Sequence, residues 1–264
     1  MYSNFMKSKI FATLALLIMT IAFTFPIIAF QGTLKKINDG KIEEISSLSK
    51  SVWNLYNHGQ YKNTLIPKES RNNLDGMIKS KSEIGVASLP IWTVTAEVAH
   101  YPKEIFPEGL PIFIHLDGFS GEIYEINTVL KYMGRDSIEF SGQWEQKIGV
   151  YILLLLTLFM ICFITNKHKI FYYAMLIPAS LPILFIVDYS YWLYLSGHTV
   201  HEWALFKIKP FMPTVFGKDM IGGFITYSYP AIGFYLLVAI SLLSILAFFA
   251  RWKEMRETEI LYSW

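Results

Sequence analysis

The sequence predicts an integral membrane protein: an α-helical bundle of four transmembrane helices, with a small α+β extracytoplasmic domain between helices 1 and 2. Three observations carry that prediction. Hydrophobic residues make up 53% of the 264-residue chain and charged residues only 17%, where a soluble domain is nearer ~25% charged. Four apolar stretches are close to the ~20 helical residues needed to cross ~30 Å of hydrocarbon. The cations in the short segments beside those stretches all fall on one side, which the positive-inside rule makes the cytoplasm. The net charge is +2, so the basic bias of a nucleic-acid binder is missing. The one cysteine, Cys162, excludes an intrachain disulfide framework, covalent haem c through CxxCH and a Cys-rich metal cluster. It reads as a packing residue in an apolar helix.

In chain order, residues 1–30 form a short tail and the first helix. Ile10–Phe30 carries no charge and is preceded by Lys7 and Lys9. A cleaved signal peptide is the competing reading, but its apolar region would run ~7–15 residues, and no small-x-small cleavage site appears near Ile27–Gly32.

Residues 31–147 form the extracytoplasmic domain. Ile45, Leu48, Val52 and Leu55 recur at an amphipathic helical spacing that ends near Asn57-His58-Gly59. Residues 72–88 read as loop. Trp92–Val98 alternates apolar and polar, as a half-buried strand does. Pro102, Pro107 and Pro111 break the chain after it. Ile112–Leu116 is a second strand ended by Asp117-Gly118, and Ser120 is the expected N-cap of a helix over Glu122–Met133 that stops at Gly134. Strand, strand and helix offer little core alone, so the module is expected to pack on a neighbouring polar segment.

Residues 148–195 hold the second and third helices, Ile148–Thr165 and Ile170–Leu195, joined by a turn with Lys167 and Lys169. Pro178 and Pro182 predict a bend in the third. Residues 196–230 form a second extracytoplasmic loop. Lys207, Lys209 and Lys218 alternate there with Phe211, Met212, Val215 and Phe216, a solvated loop packed on the domain or a docking face. Residues 231–264 hold the fourth helix, Ala231–Ala250, and a tail with Arg251, Lys253 and Arg256. The expected location is the cell (inner) membrane, multi-pass, with both termini cytoplasmic and the main polar domain outside. Tyr189, Tyr191, Trp192 and Tyr194 mark the outer headgroup level.

No repeat, P-loop, dinucleotide glycine fingerprint, GxSxG or HExxH occurs. The residues that could carry chemistry are few. His198 and His201 are spaced to share one helical face. His58, His100 and His115 fall on the same side of the membrane. Imidazole suits copper or zinc, and Met133, Met212 or Met220 could add a soft ligand for copper. Spacing fixes no third ligand, so hydrogen-bonded structural histidines are the first expectation and a metal site the second. Asp188 is the one acid inside a predicted span. A carboxylate there costs ~2.5–3.5 kcal/mol at mid-membrane and less near the interface. It reads first as a structural group paired with a tyrosine or backbone, and second as a contact for a proton or a quinol.

Three stretches resemble a known family. They are Ala99-His-Tyr-Pro102 with Glu108-Gly-Leu110; Asp117 to Asn127 running on to Lys131-Tyr-Met-Gly134; and Phe206 to Gly217 with Phe224 to Tyr229. Together they resemble the multi-span membrane protein of atypical (clade II) nitrous-oxide-reductase gene clusters, often loosely labelled cytochrome c. Lys131 stands where that family commonly has His, which weakens a ligand role at that position. The absent CxxCH argues against the cytochrome label for this chain. The resemblance implies an accessory protein that supports a respiratory copper enzyme outside the membrane, by maturation, scaffolding or electron delivery. Its expected partners are the bilayer and other subunits of a respiratory system. The alternative function is a redox or quinol-interacting membrane subunit. That reading is lowered because no predicted span contains a His to anchor a haem.

Overall fold

The computed structural model describes residues 6–24, 88–98, 109–166, 168–202, 204–205, 209–221 and 223–262. Four helices are long and apolar enough to cross a membrane: Met6–Thr24, Lys147–Thr165, Tyr173–His198 and Ile232–Glu257. A separate five-stranded antiparallel sheet sits at one end of the bundle they form. The predicted helix near residues 45–57, the loop at 72–88 except for Ser88, and His58 and His100 lie outside the described residues.

The first helix, α1 (Met6–Met19), continues as a π-helical turn over Thr20–Thr24. Ala12, Ala15, Met19 and Ala22 recur along one face and are fully buried or nearly so. Small side chains let helix backbones approach closely, which is how helices gain packing where hydrophobic burial alone gives little. The partner is α7 (Ile232–Tyr262), which presents Ile240, Ser244 and Ala247 at helical spacing. α7 runs well past the predicted Ala250, to Tyr262.

Arg251 sits almost wholly buried at this end of the bundle. Its Nε donates to Ser8 Oγ at 3.0 Å, Nη1 to the Asn166 carbonyl at 3.0 Å and Nη2 to the Phe163 carbonyl at 3.0 Å. The guanidinium also lies over the Phe163 ring at 4.2 Å. One side chain thus joins α1, α7 and the end of α4 (Gln143–Thr165).

The third span begins in pieces. α5 (Lys169–Tyr172) leads through a 3₁₀ turn, Tyr173–Met175, into α6 (Leu176–His198). Pro178 falls in the first turn of α6, where its missing N–H would have no intrahelical partner anyway. Pro182 is inside the helix and breaks the bond ladder there. Ser241 of α7 donates to the Ala179 carbonyl at 2.5 Å, in the turn that Pro182 disturbs.

The sheet has strand order β3-β2-β1-β5-β4. β1 (Trp92–Glu97), β2 (Leu110–His115) and β3 (Gly118–Gly121) come from the first polar segment. β4 (Gly217–Ile221) and β5 (Phe224–Pro230) come from the second. β1 is central and pairs with both neighbours, Trp92 opposite Ile114 on one side and Pro230 on the other. The predicted strand–strand–helix is therefore present but larger, and the second segment contributes two strands in place of a loop.

Two details differ from expectation. Pro111, read as a breaker, is the second residue of β2, and its carbonyl accepts from Glu122 N at 2.9 Å. Ser120, read as a helix cap, lies in β3; α2 (Ile123–Tyr132) starts after Glu122 with no side-chain cap. Gly134 does end the helical stretch, with φ +69°. A short α3 (Ile138–Ser141), capped by Ser137, then leads into α4. Leu110, Ile112, Phe119, Ile123, Ile126 and Ile138 form the core between sheet and α2.

Close backbone approaches fix the sheet to the helices. A Cβ at Gly149 of α4 would meet the Leu116 carbonyl oxygen at 2.5 Å, and one at Gly233 of α7 would meet the Pro90 carbonyl oxygen at 2.6 Å. The Gly233 N–H donates to that same Pro90 oxygen at 2.8 Å.

Candidate functional site

The face where the sheet meets the helices gathers most of the residues singled out from sequence. At its centre is Trp92, 2% exposed. Its ring packs edge-on against Phe234 at 5.2 Å and tilted against Tyr189 at 5.4 Å. Its indole Nε1–H donates to Ser228 Oγ at 2.8 Å. Ser228 in turn donates to the Val215 carbonyl at 2.8 Å, so the Tyr189 hydroxyl, 3.1 Å away, donates to Ser228. β1, β5 and α6 are thereby tied through one buried hydroxyl.

His115 is also buried, at the end of β2. Its Nδ1 lies 2.8 Å from the Ser88 carbonyl, which can only accept, so Nδ1 carries a proton. Its Nε2 lies 2.7 Å from Ser120 Oγ. Ser88 Oγ bonds Asp117 at 2.5 Å and accepts from Leu116 N at 3.1 Å. This network closes the β2–β3 turn, and both ring nitrogens of His115 are engaged in it.

The His198/His201 pair is not arranged as its spacing suggested. α6 ends at His198, with Thr199 as the cap in extended backbone, so the two rings do not share a helical face. His198 donates from Nδ1 to the Tyr194 carbonyl at 2.9 Å and stacks on the Tyr194 ring at 4.0 Å. His201 turns away: its backbone N–H donates to the Gly134 carbonyl at 2.8 Å, and its Nε2 lies 3.0 Å from Asp136 Oδ1. Met212 is exposed, next to Phe211, whose N–H donates to the Gly197 carbonyl at 3.2 Å. Among the described residues, no group of three His, Cys, Asp or Glu side chains is placed to hold a metal ion.

Arg135 lies beside this corner and was not singled out from sequence. It is 4% exposed. Its Nη1 donates to the Ser196 carbonyl and its guanidinium lies over the Phe211 ring at 4.5 Å. Nε and Nη2 have no hydrogen-bond partner among the described residues. Burial pushes the guanidinium pKa down from its ordinary value. Nothing in sequence marks Arg135 as different from an exposed arginine; the signal appears only once α2, α6 and the second segment meet.

A cleft of about 560 Å³ opens between α4 and α6. These two helices barely touch, while α1 and α7 pack closely behind them. Met19, Phe23 and Leu237 form the floor, and the β2–β3 turn with Phe119 closes the sheet end. The cleft is largely apolar, and Glu145 of α4 and Asp188 of α6 are the two acids that line it. Asp188 is exposed and, contrary to the structural pairing expected of it, has no hydrogen-bond partner among the described residues. Two lining residues, Glu145 and Trp192, each hold a buried polar atom without a partner, Oε2 and Nε1 respectively.

A second surface lies on the other side of the sheet. Phe216, just before β4, and Lys218 and Met220 within it alternate outward, with Phe216 62% and Met220 69% exposed. Tyr229 packs edge-on against Phe216 at 5.5 Å, and Lys218 lies over the Tyr227 ring at 5.5 Å. β4 is the last strand in the sheet, so one of its edges is open among the described residues. No protein family, curated protein or solved structure matches the chain.

Proposed function

We propose that the chain is a multi-pass protein of the cell membrane, with both termini in the cytoplasm and the sheet outside. We propose further that it is an accessory protein of a respiratory copper enzyme of the nitrous-oxide-reductase type, and that it acts chiefly as a scaffold. The membrane placement is supported by the four apolar helices and by the short-loop cations Lys7, Lys9, Lys169, Arg251 and Lys253. The single observation behind scaffolding is the outer face of β4 and β5. It combines an open strand edge with exposed Phe216 and Met220, features by which a sheet accepts another chain.

Of the stretches that carry the resemblance, Phe224–Tyr229 is most of β5 and borders this surface, while Asp117–Asn127 supplies β3, at the opposite end of the sheet, and the start of α2. The partner is a folded extracytoplasmic protein, held close to the membrane by a platform braced on three helices.

The test is made in the native host. A photo-crosslinking residue at Met220 should capture the reductase or another extracytoplasmic subunit of its system. Phe216→Glu with Met220→Glu should abolish capture and lower nitrous oxide reduction, with the variant still present in the membrane. Capture of no such subunit, or unchanged reduction in a strain lacking the gene, would refute the reading.

A further inference from the structure

We infer that the cleft between α4 and α6 is a binding site for a quinol, a lipid-soluble hydroxyaromatic molecule that enters sideways from the bilayer. The inference rests on the membrane placement proposed above and is independent of the docking platform. Its volume, about 560 Å³, lies in the ordinary range for a small-molecule site, ~300–1,000 Å³. Leu184, Val187 and Ile152 on its rim are exposed apolar side chains, so its mouth faces lipid once the helices span the membrane.

The chemistry of the lining selects the occupant. Its acids are Glu145 and Asp188, and no lysine or arginine lines it among the described residues. His115 also lines it, with both nitrogens engaged elsewhere. A carboxylate accepts hydrogen bonds, and the buried Trp192 indole N–H in the same lining, without a partner among the described residues, donates one. The polar end of the ligand is therefore one that both gives and takes a hydrogen bond. An anion such as a fatty acid finds no cation there. An ethanolamine or choline lipid brings a phosphate, for which the cleft offers no cation. Phe119, Phe185, Tyr189, Tyr191 and Trp192 line the cleft together with the two acids, and aromatic walls favour a flat ring through offset or edge contacts. A quinol supplies the ring, a donating hydroxyl and an apolar tail for the floor of Met19, Phe23 and Leu237. Its oxidised form has carbonyls where the hydroxyls were; it accepts from the Trp192 N–H but gives nothing to a carboxylate, so the reduced form makes the fuller set of hydrogen bonds and binds more tightly.

The experiment uses the full chain in phosphatidylcholine nanodiscs. The probes are a decyl-substituted benzoquinol kept under reducing conditions and the corresponding quinone, with binding read by quenching of tryptophan fluorescence. The quinol should bind saturably and more tightly than the quinone. Glu145→Gln with Asp188→Asn should weaken quinol binding about tenfold or more, the scale of losing a hydrogen bond to a charged group, and should narrow the difference between the two probes. Leu184→Trp, at an exposed rim position, should block both probes without unfolding the protein, as judged by its thermal transition. The inference is overturned if the wild type shows no saturable quinol binding. It is equally overturned if the acid and rim variants both bind as the wild type does, or if phosphatidylethanolamine displaces the quinol from the cleft. None of these results bears on crosslinking at Met220, which lies outside the cleft.

Discussion

Ser228 holds three neighbours on one hydroxyl: Trp92, Tyr189 and the Val215 carbonyl. Ser228→Ala leaves a buried indole N–H and a buried phenol unpartnered, at a cost of ~1–3 kcal/mol. For a chain of this size the expected fall in Tm is ~2–4 °C for each kcal/mol lost, measured by thermal unfolding in detergent. Arg251→Met removes three donors to Ser8, Asn166 and Phe163 and should destabilise by at least ~1.5–3 kcal/mol. Lys253→Met, two residues on and exposed, is the control and should be neutral. Equal behaviour of the two would show that Arg251 is only a topogenic charge. At this scale sequence was a poor guide. Arg251 and Arg135 look like other arginines until three chain segments converge on them. His198 and His201 look like a ligand pair because spacing alone assumes that the helix continues, and α6 stops between them.

At the scale of elements the reading was better, because hydropathy and alternation are local. All four apolar stretches are helices over their described residues, Trp92–Val98 and Ile112–Leu116 fall on β1 and β2, and Gly134 ends a helix. Missed were β4 and β5, whose short runs with Gly217 and Gly223 carry a weak signal until β1 offers an edge. Pro111 misled because it is tolerated at the start of a strand, where the breaker rule is weakest. Gly149 allows a test of how α4 meets the β2–β3 turn. In a free helix Gly→Ala stabilises by ~1 kcal/mol. Here the added Cβ would lie 2.5 Å from the Leu116 oxygen, and overpacking costs ~1–3 kcal/mol. Gly149→Ala is therefore expected to lower the thermal transition; a rise would mean the turn is not seated on α4.

For the whole molecule, the pairing of β1 with β5 requires the two polar segments to share one side of any membrane the helices cross. Reporter enzymes fused after residues 121 and 223 should therefore give one and the same side, and a fusion after Asn166 the opposite one. Disagreement between the first two would contradict the fold itself, whereas reversal of all three would overturn only the orientation proposed from the cations. That same pairing sets an order of events during synthesis. When β1, β2 and β3 have left the ribosome, the second edge of β1 is bare. Its partner is encoded beyond α4 and α6, so on the proposed membrane placement the edge would stay open until both helices had been inserted and β5 had crossed the bilayer. Closure of the sheet would then be a checkpoint on insertion: a chain that threaded α4 and α6 wrongly would strand β5 on the far side and leave β1 as an exposed, sticky edge for quality-control proteases to find.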